Sequence, residues 1–202
     1  AAKGMNYLHK SDPVIIHRDL KSHNLLVDEN WKVKVCDFGL SKIMEVQADF
    51  HTMTACGTPS WTAPEVLRNE HYTTKADVFS FGIVLWECCT RRDPYEGIAP
   101  YQVVLAVGTK GMRPDIPDDV PRAWADFMQQ CWQEDQDARP SFVEVLEQLE
   151  ELRESAASRP ASTELPASAD SPARGRSSGA PTHASTPLLH APRDKEMRPY
   201  EQ

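Results

Sequence analysis

Four side chains suited to phosphate and metal chemistry fall between residues 19 and 37 of this 202-residue chain: Asp19, Lys21, Asn24 and Asp37. They comprise two carboxylates, a carboxamide and an ammonium. Carboxylate and amide oxygens are the hard donors that Mg²⁺ takes while it keeps waters and phosphate oxygens as its other ligands. A lone Asp ordinarily reads as a turn or strand-end carboxylate. The surrounding strings reverse that reading: "HRDLKSHN" at residues 17 to 24, "DFG" at 37 to 39 and "APE" at 63 to 65.

In this order and spacing the strings resemble the catalytic loop, metal-binding segment and activation-segment end of eukaryotic protein kinases. Any one alone is weak. Together, with a hairpin of the right length between Asn24 and Asp37, they are specific. The resemblance implies transfer of the γ-phosphate of ATP to a hydroxyl of a protein substrate, with the protein mainly positioning groups and neutralising charge. It implies that Asp19 accepts or orients the hydroxyl proton and that Lys21 reaches the transferred phosphate. Asn24 and Asp37 would hold Mg²⁺, and Leu26 would floor the adenine pocket. The nucleotide is thus expected at Lys21, Asn24, Leu26 and Asp37. Gly39 serves as a turn residue and, in the family, lets the metal-binding segment bend away from its strand.

The same resemblance assigns supports. Asp77 should hold the catalytic-loop backbone, with Phe79 standing where Trp or Tyr is more common. Glu65 and Arg139 should form a partly buried ion pair, and His17 and Phe38 should stack in an apolar column. Lys21 in "DLKSHN" and Thr58 in "GTPSWTAPE" resemble serine/threonine kinases, in which that Thr bonds toward the catalytic Asp and Lys. With "SFGIVLWE" and "CWQEDQDARPSF", they resemble the tyrosine-kinase-like group of those enzymes. Arg18 before the catalytic Asp implies a switch: a phosphate on Thr54, or secondarily Thr52, placed by an upstream kinase or by self-phosphorylation and met by Arg18 and Lys42.

The elements that must position these residues are legible in part. "AAKGMNYLH" suits the end of an amphipathic helix, with Met5 and Leu8 on one side. Leu25 to Val27 and Val33 to Cys36 read as two strands joined by a turn at Asp28 to Asn30. Residues 38 to 64 read as a long ordered loop. Thr74 is placed to cap a helix from Lys75 to Cys89 that is apolar on nearly all sides. Pro121 suits a first helical position before "RAWADFMQQCW". Ser141 and Glu144 have capping-box spacing ahead of an apolar stripe of Phe142, Val145, Leu146, Leu149 and Leu152. The expected fold is therefore α+β and protein-kinase-like, mainly helical with one short hairpin.

Composition divides the chain into a kinase part, residues 1 to 154, and an Ala/Ser/Pro-rich tail, 155 to 202, expected to be disordered because it cannot bury enough apolar surface to offset its ordering entropy. Ser171-Pro172 and Thr186-Pro187 suit proline-directed phosphorylation, although such pairs are common in Pro-rich tails. A net charge of -8 with scattered basic residues argues against nucleic acid as a partner. "VFSFGIVLWECC", interrupted by Glu87, is too short to span a membrane. Five cysteines without paired spacing suggest neither a zinc site nor a disulfide framework and fit a reducing cytoplasm or nucleus.

The sequence holds no Gly-rich loop and no Val-Ala-X-Lys strand, the parts that cradle ATP phosphates in this family. The expectation is a kinase C-terminal lobe without its N-terminal lobe, inactive alone. The competing reading is a kinase-like module that docks partners without catalysis. Intact Asp19, Lys21, Asn24 and Asp37 favour the enzyme, because a scaffold has no chemical need of all four.

Overall fold

A computed structural model describes residues 1–44 and 57–158. In chain order its elements are α1 (Ala2–His9), β1 (Val14–Ile16), β2 (Leu25–Val27), β3 (Val33–Val35), β4 (Lys42–Met44), α2 (Pro64–Leu67), α3 (Lys75–Thr90), α4 (Pro100–Lys110), α5 (Arg122–Cys131) and α6 (Phe142–Ala157). Short 3₁₀ turns at Ser22–Asn24, Pro59–Trp61 and Gln136–Ala138 join them.

Helix α3 is the axis. Its residues from Ala76 to Trp86 are buried without a break, as suits a helix apolar on nearly all sides. Gly82 lets α5 approach closely, since a β-carbon there would lie 2.8 Å from Cys131 Cβ. Phe142, at the start of α6, meets both Phe81 and His9 edge-on, at 5.4 and 5.1 Å between ring centroids, so α1, α3 and α6 share one core. Met5, Leu20, Phe79, Ile83 and Met128 lie within it.

The caps differ from expectation in one place. Thr74 stands at the α3 N-cap but its side chain makes no capping bond. Instead the hydroxyl of Thr73 accepts the Lys75 N–H at 3.3 Å. The Ser141 box forms as expected: Glu144 Oε2 accepts the Ser141 N–H at 2.7 Å and Ser141 Oγ accepts the Glu144 N–H at 3.4 Å. Pro121 is the N-cap of α5 and not its first helical residue. Helix α6 continues to Ala157, so residues 155–157, assigned to the tail from composition, are helical; Arg153, Glu154, Ala156 and Ala157 are good helix formers beyond the last apolar position, Leu152. The rest of the expected tail, from residue 159, lies outside the described residues.

The hairpin forms as read, β2 pairing antiparallel with β3 through Leu25↔Val35, Leu26↔Lys34 and Val27↔Val33. A second two-stranded sheet was not expected. β1 pairs antiparallel with β4 through Val14↔Met44, Ile15↔Ile43 and Ile16↔Lys42, so residues 42–44 of the expected long loop are a strand. Each partner is three residues long, too short to announce a strand without the other.

Candidate active site

The segment between β1 and β2 is held from below by α3. The Asp77 carboxylate, fully buried, accepts the His17 N–H at 2.9 Å on Oδ2 and the Arg18 N–H at 2.9 Å on Oδ1, while His9 Nε2 bonds Oδ2 at 2.8 Å. A buried carboxylate needs such donors. They also hold Arg18 at φ 67, a left-handed conformation that a non-glycine residue adopts only under constraint. His17 is buried and its partners select one tautomer: Nδ1 accepts the Asp19 N–H at 3.3 Å, leaving Nε2 to donate to the Cys36 carbonyl at 3.1 Å. Phe38 meets the His17 ring edge-on at 5.2 Å.

Asp19 is the hub of the site. Its Oδ1 accepts the Thr58 N–H at 3.0 Å and the Thr58 hydroxyl at 2.9 Å; its Oδ2 accepts Lys21 Nζ at 2.8 Å and Asn24 Nδ2 at 3.2 Å. Lys21 Nζ also donates to Thr58 Oγ1 at 2.7 Å, closing a triangle of Asp19, Lys21 and Thr58. Burial pushes the Asp19 carboxyl upward, but hydrogen bonds from Lys21, Thr58 and Asn24 and the charge of Lys21 outweigh it, and the group lies below the usual aspartate range. Asp19 is therefore an anion with hydrogen-bond donors arrayed about it.

Asn24, buried in the 3₁₀ turn, points its amide nitrogen at Asp19, both at the carboxylate and at the main-chain carbonyl, 2.8 Å away. Those two acceptors fix the amide orientation. Its Oδ1 accepts no hydrogen bond among the described residues. Asp37 is exposed, at φ 62, and its Oδ1 accepts the Gly39 N–H at 3.3 Å. It shares no hydrogen bond with Asp19, Lys21, Asn24 or Thr58. Its approach to Asn24 comes through the hairpin, where the Cys36 N–H donates to the Asn24 carbonyl at 3.0 Å. Leu26, in the middle of β2 opposite Lys34, is 56% exposed.

These residues fit Mg²⁺ with a nucleotide. Among the described residues no group of three His, Cys, Asp or Glu is placed to hold a metal by itself, and no Lys or Arg pairs with Asp37. Asn24 Oδ1 and the Asp37 carboxylate offer two or three hard oxygens, the small protein contribution that Mg²⁺ accepts when phosphates and waters complete its shell.

The segment leading to α2 is fixed at both ends. Gly57, at φ 108, passes so close to the segment between β1 and β2 that a β-carbon would lie 2.8 Å from the Arg18 carbonyl and from Thr62 Oγ1. Further on, Arg139 grips Glu65 with two bonds of 2.7 and 2.8 Å, and its remaining N–H groups donate to the carbonyls of Gln133, Lys75 and Glu134. All five guanidinium donors are satisfied, so full burial is tolerated. The expected pair is thus bidentate and almost wholly enclosed. Phe79 lies under two guanidinium groups, Arg113 at 4.9 Å and Arg139 at 5.2 Å, which suits an aromatic face.

Arg18 Nη1 donates to the Tyr72 hydroxyl at 3.0 Å and its Nε to the Leu40 carbonyl; among the described residues it forms no ion pair. Lys42 opens β4, opposite Ile16. Thr52 and Thr54 lie outside the described residues. Sequence reasoning gave no part to Tyr72, Ser80 or Glu87. Ser80 Oγ donates to the Trp61 carbonyl at 2.7 Å, and Glu87 takes the Trp61 indole N–H and the Ser22 hydroxyl, each at 2.8 Å. For Glu87 the available signal was an acid interrupting the mainly apolar run "VFSFGIVLWECC".

The family model for protein tyrosine and serine/threonine kinases matches residues 1–149. The chain belongs to this kinase family. It is 61% identical over 152 residues to the probable serine/threonine-protein kinase drkA of Dictyostelium discoideum, covering 75% of this chain and 23% of that protein. It is 53% identical over 153 residues to the probable serine/threonine-protein kinase SIS8 of Arabidopsis thaliana, and 47% identical over 164 residues to serine/threonine-protein kinase CTR1 of the same plant. These matches cover 76% and 81% of the chain but 15% and 20% of the two relatives. The chain thus spans about a fifth of the length of such kinases. A helical body with two small sheets fits the kinase fold.

Proposed function

We propose that this chain carries the catalytic loop, the metal ligands and the end of the activation segment of a protein serine/threonine kinase, with residues 1–154 forming its C-terminal lobe. The single observation that carries the proposal is the triangle of Asp19, Lys21 and Thr58 beside an Asn24 whose amide oxygen is directed away from Asp19. Relatives named as serine/threonine kinases support the acceptor class.

In this reading Asp19 accepts or orients the proton of the acceptor hydroxyl, and its anionic state makes it ready to do so. Lys21 lies within reach of the same hydroxyl and neutralises phosphate charge. Thr58 bonds both and borders the place of a short Ser or Thr side chain. Asn24 and Asp37 would hold Mg²⁺, and Leu26 would border the adenine. Mg-ATP, when bound, supplies the phosphoryl group and neutralises its oxygens.

The test is phosphoamino-acid analysis of a generic protein substrate treated with the full-length protein. Phosphoserine and phosphothreonine are expected. Asp19→Asn should lower turnover at least about 10²-fold while the affinity for Mg-ATP stays nearly unchanged. Predominant phosphotyrosine overturns the acceptor class. Tight Mg-ATP binding with no transfer favours a non-catalytic module.

A further inference from the structure

Besides Asp77 in its first turn, helix α3 carries a second acid, Glu87, near the end of its apolar run. Glu87 follows the unbroken buried stretch from Ala76 to Trp86 and is itself only partly exposed. Burial pushes its carboxyl upward, against the bonds from Trp61 and Ser22 that favour the anion. A carboxylate so placed needs donors. It has one on each oxygen, and they come from two different segments: Ser22 Oγ donates to Oε1 and Trp61 Nε1 to Oε2, both at 2.8 Å.

Ser22 directly follows Lys21. Trp61 closes the turn that begins at Thr58, its N–H bonding the Thr58 carbonyl at 3.0 Å. The two segments that Glu87 joins are therefore the two that deliver Lys21 and Thr58 to Asp19. They also touch each other, the His23 and Trp61 rings meeting edge-on at 5.8 Å. Ser80, on the same helix, holds the Trp61 carbonyl.

We infer that Glu87 is a positioning residue, whose carboxylate clamps the catalytic loop to the activation-segment end and so sets the placement of Lys21 and Thr58 about Asp19. The catalytic consequence rests on the kinase reading; the clamp does not. Glu87→Gln keeps an oxygen for the indole N–H and offers an N–H to the Ser22 hydroxyl, which accepts as well as donates. Glu87→Ala removes both links.

Hydrogen exchange read by mass spectrometry on the full-length protein tests the clamp, with a peptide-kinase assay run in parallel. Glu87→Ala should speed exchange about tenfold in residues 20–24 and 58–62 together, since both lose a tertiary link, while residues 145–155 of α6 keep their wild-type rate. Glu87→Gln should restore most of that protection. In the assay, Glu87→Ala should lower kcat about tenfold with the KM for ATP unchanged, and Glu87→Gln should recover much of it. Should Glu87→Ala not fold, Ser22→Ala removes one link alone and must speed exchange in residues 20–24. Wild-type exchange in either segment of Glu87→Ala, or in residues 20–24 of Ser22→Ala, overturns the clamp whatever the assay shows. A wild-type protein that transfers no phosphate overturns the kinase reading and leaves the exchange rates to judge the clamp.

Discussion

Asp19 shows how a single side chain acquires its character from its neighbours. Burial works against its charge, and bonds from Lys21, Thr58 and Asn24 reverse the balance, so its carboxyl titrates below the ordinary value of 3.8. Because the folded value is the lower one, the group contributes stability that is fully present above the unfolded pKa and lost as pH falls through the folded pKa. Replacing Lys21 with Met removes a hydrogen bond and a positive charge while burial remains. The Asp19 pKa in Lys21→Met should therefore rise toward or above the ordinary value, read from carboxyl-carbon chemical shifts across an acid titration. A pKa that does not move would mean that Lys21 is not what stabilises the anion.

At the scale of elements, two contacts fix how the helices meet. Arg139 and Glu65 join α2 to the turn before α6 in a nearly closed space. Removing one partner leaves an uncompensated buried charge, which costs about 3 to 5 kcal/mol. Arg139→Ala should lower the unfolding free energy by about that amount in urea denaturation, whereas Arg122→Ala, which breaks an exposed pair with Asp126, should change it by less than about 1 kcal/mol. Gly82 sets the second contact. Gly82→Ala would place a methyl group 2.8 Å from Cys131 Cβ and push α3 and α5 apart, costing about 1 to 3 kcal/mol. This is the opposite of the gain in helix propensity expected of the same change on an exposed helix. A melting temperature raised by Gly82→Ala would show that the interface relaxes freely.

At the scale of the whole molecule, Arg18 stands between the Asp19 site and the backbone at Leu40 and Gly57. The Arg18 guanidinium is bonded to the neutral Tyr72 hydroxyl and a carbonyl, without a carboxylate partner among the described residues. A phosphate of about -1.5 to -2 charge offers it one to three charge-assisted bonds. We expect phosphorylation of Thr54, and secondarily Thr52, to raise activity through Arg18. Thr54→Ala in the full-length protein should lower the rate strongly and Thr52→Ala less, with Arg18→Ala removing the difference between phosphorylated and unphosphorylated protein. Wild-type activity in the Thr52/Thr54 double-alanine variant would place the switch elsewhere.

Asp19, Lys21, Asn24 and Asp37 were singled out in the sequence by their place in strings that resemble kinase motifs, and the structure joins the first three by hydrogen bonds while Asp37 stays outside that network. The hairpin, the central helix and the Ser141 box were legible because they are set by local periodicity and capping. Tertiary structure alone decided what joins distant segments. The pairing of β1 with β4 brings together two three-residue strands, neither of which carries a signal without the other. Thr73 took over the bond expected of Thr74 because cap geometry depends on how the chain enters the helix. The reach of Glu87 to both Ser22 and Trp61 depends on the packing of three separate stretches against one helix, and in the sequence it appears only as an acid out of place.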